Sequence, residues 1–379
     1  MTPKERMLSA LNCEEPDVIP VAPHWWGVYK FEFYGRDPRW AWYALDGHQL
    51  AQIDMYFYKH FKPDWFHLDE GVPKSGRDYK VEERGRELFL VHKPTGNRYR
   101  IRANQTLEPL EGEKSKSRTQ TVLETKDDVD LLVERAFRKC EDLIKEGYTD
   151  HVEEIVKKYG DTVLIAVNVG GPSGIIYANG FANGLIMLYR KPNLMKYLIE
   201  RAYEAHVEVA KAYATAGCHA FIISEDRIGA DIISPKIYRE FFLEPEKKYF
   251  YEIRKLGMIP ILYFCGNVMP ILQYIRELDI DGLMIEESRK NFIIDLAKVK
   301  EALEGKVCVF GNLDTVNVLL NGDEKSITKE VREQISAAAA GGGFIASNGS
   351  PLAPGTPVKN VSTFIESVRK YGRYRPSYS

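Results

Sequence analysis

The alternation of short apolar runs with longer helical patterns, which continues from residue 127 nearly to the end of the chain, is the feature that most restricts the fold. Ser234 and Pro235 show how each helix pattern starts, because serine is a preferred N-cap and proline suits the first helical turn. Two earlier apolar runs belong to the same series. The predicted strands are residues 18–23, 65–69, 162–169, 219–224, 260–264, 282–286, 306–310 and 343–347.

Eight strands that alternate with helices in one chain favour an α/β fold of the closed (β/α)8 TIM-barrel type over an open doubly wound sheet, which stays the alternative. We expect residues 1–379 to form this single domain. Residues 78–104 interrupt the pattern, because two β-rich stretches at 87–92 and 98–102 flank a turn at 93–97. This arrangement predicts a β-hairpin inserted into the N-terminal part of the barrel.

The composition excludes several classes of protein. Hydrophobic residues make up 44% of the chain and charged residues 28%, which is typical of a packed globular protein. Fifty-two basic and 54 acidic residues leave a formal charge of −2, with no basic excess for nucleic acid or anionic lipid. No apolar stretch is long enough to span a membrane. Five scattered cysteines and an opening without an apolar leader predict a cytoplasmic protein with free thiols.

Candidate catalytic residues follow the predicted strands, because the carboxyl ends of barrel strands converge on one mouth. Asp69 follows the second strand, and Glu225 and Asp226 follow the fourth. Carboxylates gathered around a mouth must be paired, hydrogen bonded or metal bound, or their pKa values rise. We therefore expect these three residues to act as acids or as orienting groups, while a helix-capping role is the alternative for any single strand-end carboxylate.

Cys265, after the fifth predicted strand, has three possible roles: metal ligand, nucleophile or inert buried thiol. No histidine follows His219, so a cysteine and histidine pair would have to form across the barrel. Glu286 and Glu287 follow the neighbouring strand and could share a metal ion with Cys265. Among the functional roles, the sequence favours metal ligation.

Two indoles, Trp25 and Trp26, follow the first predicted strand. Core packing explains most of the many aromatic residues nearby, but at this place the indoles would border the mouth and suit a flat aromatic substrate. The other residues that we expect to bind substrate are polar residues at strand ends: His24, Tyr263, Asn267, Asn312 and Ser350.

Several motifs also match a known family. They are Thr2–Arg6 with Pro16–Pro20, Ile233–Phe241, Cys265–Asn267, Gly311–Asp314 and Pro354–Pro357. As a set that covers nearly the whole chain apart from the hairpin, they make the sequence similar to the uroporphyrinogen decarboxylase superfamily. The resemblance implies a (β/α)8 barrel and one of two activities. One branch decarboxylates the acetate arms of uroporphyrinogen without a cofactor, and the other moves methyl groups to or from a corrinoid and uses zinc.

The resemblance also implies where each branch keeps its functional residues. The decarboxylases carry an arginine-rich segment after the first strand and a histidine after the last, where this chain has His24 to Gly27 and Ser350. The methyltransferases bind zinc through His-x-Cys-Gly and a second cysteine. Here Tyr263 replaces the histidine, Cys265 matches, and Ser350 replaces the second cysteine. Either zinc is absent, or it is held by a different set, such as Cys265 with Glu286 or Glu287 and with Glu225 or Asp226.

The hypothesis that follows is a corrinoid-dependent methyltransferase. It would take a methyl group from a methoxylated, aromatic compound and pass it to the cobalamin of a separate carrier protein. The carrier is expected because this chain has no cobalt-ligating loop. The alternative is a cofactor-free decarboxylase of the same superfamily that acts on a porphyrinogen or a smaller carboxylic acid, and a third reading is a barrel that only binds a ligand. A homodimer is possible.

Overall fold

A curled parallel β-sheet surrounded by helices forms the body of the protein. The computed structural model describes residues 1–39, 41–102, 107–109 and 123–374. Within these residues seven strands form one parallel sheet, and four more form a separate antiparallel sheet. The eleven strands, in chain order, are β1 Trp65–Leu68, β2 Tyr79–Arg84, β3 Glu87–His92, β4 Arg98–Ile101, β5 Leu107–Pro109, β6 Leu164–Gly170, β7 Ala220–Glu225, β8 Ile259–Phe264, β9 Gly282–Ile285, β10 Cys308–Phe310 and β11 Phe344–Ile345.

Fourteen α-helices are found in the described residues, and most of them connect successive strands of the parallel sheet. None of these helices combines the length and apolarity that a membrane span requires. In chain order the helices are α1 Pro3–Leu11, α2 Gly27–Tyr34, α3 Gly47–Phe61, α4 Lys126–Ala136, α5 Cys140–Glu146, α6 Asp150–Tyr159, α7 Phe181–Arg190, α8 Pro192–Thr215, α9 Pro235–Phe241, α10 Leu243–Lys255, α11 Leu272–Ile275, α12 Leu296–Leu303, α13 Glu324–Ala338 and α14 Val358–Tyr371.

The seven strands of the parallel sheet lie in the order β1-β6-β7-β8-β9-β10-β11. They coincide with seven of the eight predicted apolar runs. The predicted alternation of strand and helix is therefore confirmed over this part of the chain. The eighth run, at 18–23, forms isolated bridges instead of a named strand, and one of them is a parallel bridge from Val21 to Ala346. The closed eight-stranded barrel stays a prediction.

Both faces of the parallel sheet are buried, and alternate residues of each strand point to opposite faces. In β8, Ile261 and Tyr263 face the inside of the curl, while Leu262 and Phe264 face the helices. Met7 of α1 packs with the inner residues. This alternation decides which residues at the strand ends reach the mouth.

The second sheet is antiparallel and has the order β2-β3-β4-β5. Its strands β3 and β4 match the two β-rich stretches of the predicted hairpin, and they pair with Leu88 opposite Ile101. The sheet is larger than a hairpin because β2 and β5 pair on either side. Residues 103 and 104 of the predicted hairpin lie outside the described residues.

The loop after β1 packs closely against the start of α6 and the end of α8. The Gly71 amide donates to the hydroxyl of Tyr213 at 2.9 Å, and His151 Nε2 lies 3.1 Å from the carbonyl oxygen of Asp69. A Cβ atom on Gly71 would lie 1.7 Å from the carbonyl oxygen of Tyr148. The loop that carries Asp69 therefore needs glycine at position 71.

We expect Gly71→Ala to lower the free energy of unfolding by about 1–3 kcal/mol or more, since the backbone on both sides of the contact must move. Chemical denaturation monitored by circular dichroism measures the change. Gly174→Ala is the matched control, because the added Cβ would meet only Arg227 Nη1, at 4.0 Å. Equal stability of the two variants would contradict the tight packing of this loop.

Candidate functional site

A cleft of 470 Å³ opens at the carboxyl ends of β1, β6 and β7. Asn168 and Ser224 line it from the inner faces of β6 and β7, and the Ser224 hydroxyl donates to Asn168 Oδ1 at 2.6 Å. The cleft also exposes aromatic and acidic groups. The side chains that give it its chemical character are Trp26, Trp42, Asp69, Glu70 and Asp226.

The charge in this lining is negative. Three of the lining residues are carboxylates, and among the described residues no lysine, arginine or histidine lines the cleft. Glu70 Oε1 accepts a hydrogen bond from the Gly170 amide at 3.1 Å. Arg227 lies beside the cleft, where its Nε is 3.5 Å from Asp226 Oδ1. A cleft of this kind favours neutral or cationic ligands over anions.

Three of the predicted site residues, Trp26, Asp69 and Asp226, come together in this cleft. Two others do not, and the structure corrects their expected positions. Trp25 is 2% exposed and packs edge-on against Phe57 in the core, with 4.3 Å between the ring centroids. Glu225 continues the outward-facing alternation of Phe221 and Ile223, so its side chain lies among the helices.

A buried lysine positions Asp69. Lys30 is 1% exposed, and its Nζ lies 2.6 Å from Asp54 Oδ1 and 2.7 Å from Asp69 Oδ2. Burial alone would lower the pKa of Lys30, but the charges of Asp54 and Asp69 raise it above its ordinary value. Burial raises the pKa of Asp54 to about 6, against the opposing pull of Lys30. The ion pair fixes the side chain of Asp69 where it meets the cleft.

Cys265 belongs to a second cluster, at the ends of β8 and β9. Cys265 lies near Tyr263, whose hydroxyl donates to Glu286 Oε1 at 3.5 Å. Burial raises the pKa of Cys265 well above the ordinary value for a thiol, and the charge of Glu286 adds to the effect. Glu286 accepts the Gly266 amide at 2.8 Å and Arg289 at 2.6 Å. Cys265 therefore holds its proton, which makes it a hydrogen-bond donor and a poor nucleophile.

The predicted zinc ligands Cys265, Glu286 and Glu287 do not fit a zinc ion in this arrangement. Glu287 turns towards Ser350, whose amide and hydroxyl donate to its two oxygens at 2.6 and 2.8 Å. The oxygens of Glu286 are engaged as described above. Among the described residues no three histidine, cysteine, aspartate or glutamate side chains are grouped so that they could hold a metal ion.

The other polar strand-end residues mainly hold loops. Asn312 Nδ2 donates to the carbonyl oxygen of Glu286 at 3.1 Å. The backbone amide of Asn267 donates to Asp231 Oδ1 at 2.9 Å, and the side-chain oxygen Oδ1 of Asn267 accepts a hydrogen bond from the Met269 backbone amide at 3.2 Å. These contacts explain why asparagine suits both positions without a substrate. Their predicted role in substrate binding stays a prediction, as does that of Ser350.

His24 contacts both Tyr263 and His67 inside the curl of the sheet. The His24 ring centroid lies 4.4 Å from that of Tyr263 and 5.0 Å from that of His67. Burial lowers the pKa of His24 to about 4, so the ring is neutral. Its Nδ1 lies 3.0 Å from the carbonyl oxygen of Gly349 and must carry the hydrogen. Its Nε2 consequently offers a buried lone pair, which has no partner among the described residues.

No motif in the sequence assigns a role to His67, although the alternation of β1 indicates which way it faces. Trp65 faces the inside of the curl, so the residue two positions later must face the same way. The contact of His67 with His24 follows from this parity together with the curvature of the sheet.

Glu225 and Glu246 form a buried carboxyl pair behind the cleft. The Tyr203 hydroxyl lies 2.8 Å from Glu225 Oε1 and 3.2 Å from Glu246 Oε1, and the Tyr238 hydroxyl donates to Glu246 Oε2. Tyr203 has one proton and can donate to only one of them. The shorter contact assigns that proton to Glu225, and the raised pKa of Glu246 lets its carboxyl keep a proton of its own beside Tyr203. Burial raises the pKa of Glu225 to about 7 and that of Glu246 well above its ordinary value.

Removing Lys30 tests the ion pair. We expect Lys30→Met to lower the free energy of unfolding by about 3–5 kcal/mol, because it leaves two buried carboxylates without their cation. Thermal and urea denaturation measure the loss. The double variant Lys30→Met/Asp54→Asn should regain part of it, since one negative charge is then removed as well. If the double variant is as unstable as the single one, lost packing and not charge accounts for the effect.

The carboxyl pair predicts a pH dependence of stability. A carboxyl with a raised pKa in the folded protein keeps its proton after the unfolded chain has lost its own, so stability falls as pH rises from about 4.5 to about 7. Buried neutral histidines act in the opposite direction, so the wild type has to be compared with a variant. Glu246→Gln keeps both hydrogen bonds without a titrating proton. The stability of Glu246→Gln should therefore fall less over this range in urea denaturation at stepped pH. Parallel curves of stability against pH for the variant and the wild type would contradict the protonation of Glu246.

Comparison with known proteins places the chain in a family. The model of the uroporphyrinogen decarboxylase (URO-D) family matches residues 107–371. A solved structure described as a methyltransferase from Methanosarcina mazei is similar over 98% of this chain and 99% of its own, with a TM-score of 0.69 and 20% identity. At that identity the likeness concerns the fold.

Curated relatives include both activities that the family contains. The methylcobamide:CoM methyltransferase MtaA of Methanosarcina barkeri is 26% identical over 238 residues, which cover 61% of this chain and 66% of that protein. The uroporphyrinogen decarboxylase of Rickettsia felis is 31% identical over 235 residues, 59% of this chain and 65% of that protein. The matches thus span just under two thirds of each relative. With a family model that matches well over half of its length, the chain belongs to the uroporphyrinogen decarboxylase family.

Proposed function

We propose that this protein transfers a methyl group from a small methylated donor, held in the cleft, to a corrinoid on a separate protein. The observation that carries the proposal is the cleft lining, with Trp26 and Trp42 beside the carboxylates of Asp69, Glu70 and Asp226. Aromatic faces and carboxylates bind a compact methylated molecule well and repel one rich in carboxylate groups. The methylcobamide methyltransferases among the relatives support the choice of chemistry.

The same lining argues against the decarboxylase alternative. A porphyrinogen that carries many acetate and propionate groups needs several cations, and bidentate arginines are the usual solution. In the described residues, Arg227 and Arg289 are near the mouth, and both are already paired with carboxylates, Asp226 and Glu286. Decarboxylation of such a substrate therefore has little support from this site.

The chain's own residues would orient the donor and hold protons. Asp69, fixed by Lys30, and Asp226 line the same cleft and would orient the group that carries the methyl. Cys265 would act as a protonated donor, because its pKa is raised. Since the predicted zinc ligands do not fit the ion, we propose no role for zinc in the methyl transfer. The corrinoid carrier, the methoxylated aromatic donor and the homodimer stay predictions.

We also infer that the sheet closes into the predicted (β/α)8 barrel, with residues 20–22 as its eighth member. The Ala22 amide donates to the Ala346 carbonyl at 2.9 Å, and the Ala346 amide donates to the Pro20 carbonyl at 2.9 Å. On the other side, the Asp64 amide donates to the Val21 carbonyl at 2.9 Å. These bonds join residues 20–22 to both edges of the sheet, which supports a mouth shared by the cleft and the Cys265 cluster.

A direct assay tests the methyl transfer. With chemically reduced free cob(I)alamin in place of the carrier, the purified protein should convert it to methylcobalamin when a suitable methyl donor is present, which the visible spectrum records. Methoxylated aromatics and methylated amines form two arms of the donor panel. We expect Asp69→Asn to lower the rate by about 10²-fold or more, as for loss of a positioned acid or orienting group.

Glu324→Gln on α13 is the control, because Glu324 is exposed and lines a different cavity, beside α13 and α14. Metal analysis of the same preparation tests the zinc prediction separately, and about one zinc per chain would restore it. Release of carbon dioxide from a carboxylic acid, without methylation of cobalamin by any donor, would favour the decarboxylase and overturn the proposal.

A further inference from the structure

The cleft has an electrostatic character that specifies its ligand more narrowly than methyl transfer requires. Its two indoles are Trp26, which is 42% exposed, and Trp42, which packs edge-on against Phe31 at 4.8 Å between ring centroids. The faces of indole rings carry negative potential and attract cations more strongly than those of any other side chain. An exposed indole beside carboxylates therefore attracts a cationic ligand electrostatically, and it gives a neutral ether no such attraction.

The charges around the cleft sum to a net negative charge. Lys30 lies between Asp54 and Asp69, so this buried group keeps one negative charge. Arg227 pairs with Asp226, which leaves that pair close to neutral. Glu70 accepts a hydrogen bond from the Gly170 amide, and among the described residues no cation lines the cleft to offset the charge of Glu70.

We propose that the methyl donor bound in this cleft is a cation, a methylated ammonium compound with its charge between the two indoles and the carboxylates of Asp69, Glu70 and Asp226. The inference rests on the proposed function and names the substrate class of the same site. It differs from the neutral methoxylated aromatic that the sequence predicted, because the sequence showed the indoles but not the net charge of the finished cleft.

A cationic donor also simplifies the chemistry that this site must perform. The carbon–nitrogen bond breaks, its electron pair stays on nitrogen, and the donor leaves as a neutral amine. The new carbon–cobalt bond uses the electron pair of the corrinoid in its Co(I) state, so atoms and electrons balance without a proton. An ether would leave as an alkoxide or phenoxide and would require an acid at the leaving oxygen. Asp69, Glu70 and Asp226 then serve to bind and orient, and none has to donate a proton.

Binding measurements test the charge of the ligand without relying on turnover. Choline and 3,3-dimethylbutan-1-ol have nearly the same shape, but only choline carries a charge, and 3,3-dimethylbutanoate supplies an anion of similar size. In isothermal titration calorimetry at low ionic strength we expect choline to bind at least tenfold more tightly than the neutral alcohol, and the anion to bind most weakly. Raising the salt concentration should weaken choline binding and leave the alcohol unaffected.

Variants assign the binding to the cleft. Trp26→Leu and Asp226→Asn should each weaken choline binding by about threefold or more, in line with the loss of one cation–π contact or one partly exposed charge. Asp226→Asn should not change binding of the neutral alcohol. Trp26 is 42% exposed and the Asp226 side chain 48% exposed, so the variants should fold, and circular dichroism checks that they do. Glu324→Gln on α13 should bind like the wild type.

The outcomes separate this inference from the proposed function. Equal binding of choline and the neutral alcohol, absence of binding by both, or a preference for the anion would overturn the cationic donor. Methyl transfer from methoxylated aromatics by a protein that shows no preference for choline would overturn it too, while leaving the methyltransferase intact. Selective choline binding without methylation of cobalamin by any donor would instead count against the proposed function.

Discussion

The two-residue alternation of the parallel strands, in a sheet buried on both faces, is the constraint on which the rest of the structure depends. Because successive side chains point to opposite faces, neighbouring residues at a strand end lie in different surroundings. Ser224 reaches the cleft, while Glu225 enters the helix layer and meets Tyr203. The same parity turns His67 and Tyr263 to the inside of the curl, where His24 contacts both. Position along the chain alone does not distinguish them.

Buried charge in this protein is neutralised in two different ways. Beneath the cleft, Lys30 shares its charge between two carboxylates and keeps Asp69 fixed at the surface of the cavity. Behind the cleft no lysine or arginine among the described residues pairs with Glu225 or Glu246, so the hydroxyls of Tyr203 and Tyr238 and retained protons compensate the two carboxyls. Both solutions follow from the cost of leaving a carboxylate in a low dielectric environment without compensation. The first keeps charge at the site, and the second removes it.

The carboxyl ends of the parallel strands therefore carry two groups of side chains of different character. The cleft lined by Trp26, Asp69 and Asp226 is acidic and aromatic, and it is the place where a ligand can enter. In the cluster around Cys265 and Glu286, the polar groups largely hydrogen bond to one another, and Cys265 keeps its proton. This division explains how a member of the uroporphyrinogen decarboxylase family can keep the family's fold while its site departs from the ligand pattern of either branch. In the function that we propose, the charge of the cleft, more than the cysteine, selects the substrate.

Much of the fold could be predicted from the sequence, because the signals are local. Seven of the eight predicted strands, the capped helices and the β3–β4 pairing all depend on periodicity and capping within short stretches, and so does the place of Asp69 after β1. The clustering of Trp26, Asp69 and Asp226 followed from the rule that strand ends converge. Only the tertiary structure decided that Trp25 is a core residue, that Glu225 faces the helices, that Glu287 turns to Ser350 and that Lys30 lies under Asp69. These contacts join residues far apart in the chain, and their outcome depends on how burial, charge and hydrogen bonding balance once the sheet has curled.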